Sequence, residues 1–132
     1  MESFDTAEKR IPVVIVADDC QDNLNLVGLV LDALGLKYYL ANNGKAASDL
    51  IRDKSPDLVL LDIVMPHLNG IELNLRLKNN LLTSHIKTLA VTGLADSEHI
   101  ESMLNVGFND YIIKPFIIEN LEAKIKCLLD IE

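Results

Sequence analysis

Apolar residues in this chain fall into five short runs, separated by longer stretches in which they recur at helical spacing. The runs are PVVIVA (12–17), KYYLA (37–41), LVLLD (58–62), IKTLAVT (86–92) and DYIIK (110–114), each short and rich in β-branched or aliphatic side chains. Runs this short and this apolar predict strands buried on both faces, as in parallel sheets. Between them, Leu24, Val27, Leu31 and Leu34 predict one helix, and Ala46, Ala47, Leu50 and Ile51 a second. Ile71, Leu73, Leu75 and Leu77 mark a third over about 70–78. Ile100, Met103 and Leu104 mark a fourth, and Leu121, Ile125, Leu128 and Leu129 a fifth over about 118–129. Asp22 and Asn23 are N-cap candidates for the first helix, as are Asp96 and Ser97 for the fourth. Gly35, Ser55-Pro56 and Gly107 supply the stops.

Strand and helix thus alternate five times with short connections. Parallel strands need helical returns, and right-handed crossovers place those helices on both faces. The expected architecture is an α/β doubly wound sandwich around a five-stranded parallel sheet. Residues 1–10 carry no pattern and predict a loose tail; residues 11–132 predict one domain. Leu81-Leu82 fits no element and must either pack somewhere or form an exposed apolar spot.

Composition narrows the function classes. At 49% hydrophobic and 24% charged, the 132 residues suit one compact core and argue against disorder. The net charge of −8 argues against direct binding of nucleic acid through phosphate neutralisation. No apolar run approaches a membrane span, and the polar, acidic N-terminus is unlike a secretory signal. Cys20 and Cys127 lack metal-site spacing and read as free, buried or semi-buried thiols, which points to a reducing cytoplasm. His67, His85 and His99 are scattered and read as surface histidines.

Chemistry-bearing residues end four of the strands: Asp18-Asp19 the first, Asp62 the third, Thr92 the fourth and Lys114 the fifth. In a parallel sheet these ends share one edge, where open α/β sheets bind ligands. Taken singly, each has a plain alternative as turn, cap or surface residue. Together they place three carboxylates in one pocket, whose repulsion a divalent cation with oxygen ligands would offset, Mg²⁺ above all where phosphate is handled. Thr92 and Lys114 could then hold the oxygens of a phosphoryl group on Asp62.

The acid pair, Asp62 with Met65-Pro66 and Gly70, Thr92, and Lys114-Pro115 resemble the receiver domain of two-component response regulators over about residues 12–129. The resemblance implies a flavodoxin-like strand order 2-1-3-4-5. It implies phosphorylation of Asp62 by a histidine kinase or phosphotransfer protein, with a downstream effector protein as the reader. Mg²⁺ would be held by Asp19, Asp62 and the Val64 carbonyl, with Asp18 acting largely through water. Lys114 would pair with the phosphoryl oxygens, Thr92 and Tyr111 would form the switch, and the Lys114-Pro115 bond would be cis.

Modulating positions depart from the commoner pattern. Val64 and Leu94 are apolar; by the resemblance they would flank the path of an attacking water and slow hydrolysis of the acyl phosphate, while Gly93 would leave room and offer its N–H. Val64 also argues against an aspartyl-nucleophile phosphatase, since it cannot serve as general acid two residues past Asp62. The chain is therefore expected to act on no separate substrate. An inert binding module is disfavoured by Asp62, Thr92 and Lys114 all being present. With the sequence ending at Glu132, directly after the last helix, the output falls to a partner or to the rest of a larger regulator or hybrid kinase.

Overall fold

A computed structural model describes residues 10–65, 69–93 and 97–132. The elements alternate as the pattern predicts: β1 (Val13–Ala17), α1 (Gln21–Ala33), β2 (Lys37–Ala41), α2 (Gly44–Lys54), β3 (Leu58–Asp62), α3 (Gly70–Lys78), β4 (Lys87–Thr92), α4 (Ser97–Asn105), β5 (Asp110–Ile113) and α5 (Ile118–Leu129). All strand pairs are parallel, in the order β2-β1-β3-β4-β5. The order reverses between β1 and β3, so the crevice at the carboxyl ends of those two strands is the topological switch point.

Alternation along the strands divides the core into two layers. Ile15, Ala17, Val59, Leu61 and Ala90 face α2, α3 and α4, where they meet Ala47, Ile51, Leu73, Leu77 and Met103. Val14, Val16, Leu58, Leu60, Leu89 and Val91 face α1 and α5, against Leu24, Leu31, Leu121 and Ile125. β3 is buried along its whole length, which fits its place in the middle of the sheet.

The helix ends follow local chemistry, with one correction. Asn43 caps α2, its side chain accepting from the Ala46 N–H at 2.8 Å, and Asn69 caps α3 by accepting from the Glu72 N–H at 2.8 Å. For α1 the expected caps, Asp22 and Asn23, lie inside the helix; Cys20 holds the cap position and makes no side-chain bond. Asn23 is turned instead to Asp18. Ser55 ends α2 in the left-handed region at φ 46°, and Gly107 follows α4 at φ 97°. Asp96, the other cap candidate for α4, lies outside the described residues, as do the tail residues 1–9.

Two further expectations change, and one left open is decided. Leu75 and Leu104 face solvent rather than the core. Leu75 is two residues from both Leu73 and Leu77, so helical geometry turns it to the opposite side. Cys20 and Cys127 are both free but exposed, because one stands at the rim where α1 begins and the other on the outward side of α5. Leu81-Leu82 is an exposed apolar spot.

Candidate functional site

The register brings the polar strand ends to one level. Ala17 pairs with Leu61, so Asp18 and Asp62 follow side by side on the two central strands. Asp62 pairs with Val91, and Thr92 with Ile113, which sets Thr92 and Lys114 one step outward on β4 and just beyond β5. Asp18, Asp62 and Thr92 are buried, whereas Asp19 is exposed at the mouth.

Four donors organise the two buried carboxylates. Lys114 Nζ lies 3.3 Å from Asp62 Oδ2 and 3.3 Å from Asp18 Oδ2. The Val64 N–H donates to Asp62 Oδ1 at 3.3 Å, and the Cys20 N–H to Asp18 Oδ1 at 2.9 Å. Asn23 Nδ2 adds a bond to Asp18 Oδ2 at 3.3 Å. Asn23 is the site residue that sequence reasoning did not assign to the site. Its position four residues past Asp19, on the first turn of a helix springing from that strand end, was the available signal, and it reads equally as a cap. The Lys114-Pro115 peptide is cis, as the resemblance implies. The Lys114 N–H is tied to the Thr92 carbonyl at 2.7 Å.

Burial and the adjacent Asp18 charge push the Asp62 carboxyl up to about 6, against the opposing pull of Lys114 and the Val64 N–H. Asp62 remains an anion near neutral pH and is more basic than an ordinary aspartate. For Lys114, burial favours the neutral amine, but Asp18 and Asp62 outweigh it and hold the ammonium above its ordinary range.

Asp18, Asp19 and Asp62 each offer a carboxylate oxygen within 4.8 Å of the others. An all-oxygen, mostly buried donor set with Lys114 as its ion-pair partner suits a hard divalent cation. Val64 lies beside Asp62 through its N–H, with its side chain 70% exposed at the rim. Gly93 is exposed as well, with open space where a Cβ would be. Leu94 and Pro66 lie outside the described residues. Gly70 seals the other side: its N–H donates to the Ile63 carbonyl at 2.9 Å, and an added Cβ would sit 2.5 Å from the Asp62 carbonyl oxygen. Only glycine lets α3 start this close to β3.

Thr92 and Tyr111 share a sheet face. Tyr111 pairs with Ala90, packs partly buried against the layer under α3 and α4, and stands diagonal to Thr92, two residues beyond Ala90. The Lys124 ammonium lies 5.5 Å from the Tyr111 ring centroid and 3.1 Å from Asp110 Oδ2. His85 and His99 are exposed, in accord with a surface reading; His67 lies outside the described residues.

Residues 14–126 match the family model of the response regulator receiver domain. The chain belongs to the receiver domains of response regulators. It is 33% identical over 116 residues to the polar-differentiation response regulator DivK of Brucella anthropi, covering 88% of this chain and 94% of that protein. It is 34% identical over 116 residues to the phosphate regulon transcriptional regulatory protein PhoB of Pseudomonas aeruginosa, covering 88% of this chain but 51% of PhoB. The chain therefore spans about half the length of that relative. Among solved structures, the receiver domain of a sensor histidine kinase from Pseudomonas aeruginosa PAO1 superposes with a TM-score of 0.83 at 22% identity, covering 92% of this chain and 99% of that one. That structure is described with a magnesium ion coordinated in its active-site cleft. This receiver domain places its acid pair, Asp62, Thr92 and Lys114 on one edge of a five-stranded sheet, and it works in two-component signalling. No helix among its described residues is long and apolar enough to cross a membrane.

Proposed function

We propose that Asp62 is the phosphoryl acceptor of this receiver, taking its phosphoryl group from a histidine kinase or a histidine phosphotransfer protein. The observation that carries the reading is the Lys114 ammonium standing 3.3 Å from Asp62 Oδ2, beside a second buried carboxylate. An Asp62 oxygen attacks the phosphorus of a phosphohistidine, the P–N bond breaks, and the imidazole leaves. Lys114 stays in place to pair with the phosphoryl oxygens. The raised basicity of Asp62 strengthens it as a nucleophile while leaving it ionised at neutral pH.

Asp19, Asp62 and the Val64 carbonyl would hold Mg²⁺, with Asp18 reaching it largely through water. Two of the three donors that occupy Asp18, Asn23 and Lys114, converge on its Oδ2 and leave that oxygen little capacity for a direct bond. A magnesium ion at this position supplies charge neutralisation for the carboxylates and the phosphoryl oxygens.

The Thr92 hydroxyl would turn toward the new phosphoryl oxygens, and Tyr111, on the same face, would follow into the vacated space. The change would reach an effector protein through α4, β5 and α5. Val64 cannot donate a proton to a leaving group, so phosphatase chemistry on a separate substrate finds no general acid two residues past Asp62. The functional reading needs neither nucleic-acid contact nor membrane insertion, and it suits a cytoplasmic protein. The test is incubation with acetyl phosphate and Mg²⁺, followed by intact mass and peptide mapping. A base-labile gain of one phosphoryl group on Asp62, absent from D62N, is expected. Labelling elsewhere, or none, overturns the reading.

A further inference from the structure

At the opposite end of β4 from Thr92, α2, α3 and the turn leading into β4 enclose a groove of about 550 Å³. Its floor is apolar and buried, made by Ile51, Leu73, Leu77 and Ile86. Arg52, Arg76 and His85 stand exposed on its rim. Among the described residues no carboxylate lines the groove, although the chain carries 20 acidic residues and a net charge of −8. The three rim cations are not equivalent. Arg52 is paired with Asp49 at 3.2 Å and with Asp53 at 3.5 Å, and His85 lies in the field of Asp57. Arg76 has no ion pair among the described residues. Glu72, one turn earlier on α3, accepts instead from Asn69 Nδ2 at 3.3 Å. The walls are held by the chain itself. Ser55 closes α2 in the left-handed region at φ 46°, its N–H on the Ile51 carbonyl at 3.1 Å. Across the groove, Thr83 Oγ1 donates to the Leu77 carbonyl at 2.7 Å, and the Ile86 N–H to the Thr83 carbonyl at 3.0 Å.

We infer that this groove is a binding site for a small amphiphilic carboxylate, whose apolar body covers the floor while its head pairs with Arg76. Small-molecule sites are concave, mainly apolar and roughly 300–1,000 Å³ in volume, with a few polar groups that fix orientation. The groove has that size and that division of labour. A guanidinium fork matches a carboxylate through two parallel hydrogen bonds, so Arg76 selects for the anion over a neutral analogue of the same shape. An all-basic rim attracts here an anion that the rest of this acidic surface repels. Walls already fixed by hydrogen bonds spare the ligand the cost of ordering them. The site lies away from Asp62 and does not depend on phosphorylation of that residue.

Titration of the 132-residue protein with sodium octanoate, followed by amide chemical shifts, tests this. Saturable shifts are expected at Ile51, Leu77, Thr83 and Ile86. Octanol, with the same body and no charge, should bind at least tenfold more weakly. Butanoate, which keeps the head but loses four methylenes, should also bind at least tenfold more weakly, since each buried methylene contributes about fourfold. R76E should raise the octanoate dissociation constant at least tenfold and R76K by less. K126E, the same charge change on α5 across the sheet, should leave it unchanged. Arg76 is exposed, so urea unfolding of R76E should match the parent and exclude misfolding as the cause. Shifts that never saturate, or that spread to exposed apolar residues such as Leu104 and Ile117, mean adventitious adsorption only and overturn the inference. Equal binding of octanol, or indifference to R76E, overturns it as well.

Discussion

Lys114 Nζ and Asp62 Oδ2 stand 3.3 Å apart although 52 residues separate them in the chain. The contact exists because β3 and β5 flank β4, and the registers on either side of it align their carboxyl ends. Lys114 is the ion-pair partner of both Asp18 and Asp62. K114M should therefore destabilise the metal-free fold by roughly 1–3 kcal/mol, a range already lowered for the partial exposure of the lysine. It should also abolish or severely slow phosphorylation by acetyl phosphate. Urea denaturation in EDTA and labelling kinetics check the two effects. Unchanged labelling would remove Lys114 from the phosphoryl site.

The raised Asp62 carboxyl has a signature in stability against pH. Its folded value of about 6 lies above the ordinary 3.8, so the folded state binds this proton more tightly than the unfolded chain does. The stability from that difference is fully present below about pH 4 and is lost as pH rises through about 6. In EDTA, D62N should therefore be more stable than the parent at pH 7.5, and the gap should narrow steadily as pH falls through 6 toward 4. A gap that does not change with pH would refute the assignment. Added Mg²⁺ should stabilise the parent more than D62N, since an ion that binds only the folded state raises its stability.

Gly70 is fixed by distance rather than by dihedral freedom. A methyl group there meets the Asp62 carbonyl oxygen at 2.5 Å, so α3 must move away from β3 in G70A. Loss of roughly 1–3 kcal/mol is expected from this overpacking, together with weaker Mg²⁺ binding as the Asp62 backbone shifts. Calorimetry and metal titration would show both. G93A, at a position with open space, is the control and should be near neutral.

Val64 stands exposed at the rim, its N–H on the carboxylate that would carry the phosphoryl group. V64N should shorten the lifetime of the acyl phosphate severalfold, because an amide can orient the attacking water that an isopropyl group excludes. Following the mass of phosphorylated protein over time decides the matter; equal lifetimes would leave Val64 without a role in setting signal duration. Its 70% exposure also predicts that the substitution leaves stability unchanged.

The linear sequence determined the element order, the parallel sheet and the edge on which Asp18, Asp19, Asp62, Thr92 and Lys114 meet. Strand runs, helical spacing and strand-end residues are local signals, and a parallel topology converts them into a common site. Periodicity alone did not place Leu75, Leu104 or Leu81-Leu82, because an apolar residue declares its burial only when a neighbouring element covers it. Nor did it separate a capping Asn23 from one that holds Asp18, since both uses place an amide near a helix start. Tertiary structure also decided the shared face of Thr92 and Tyr111, the 2.5 Å approach at Gly70 and the basicity of Asp62. Each depends on distances between segments remote in the chain, fixed only when the sheet register and the helix packing are set together.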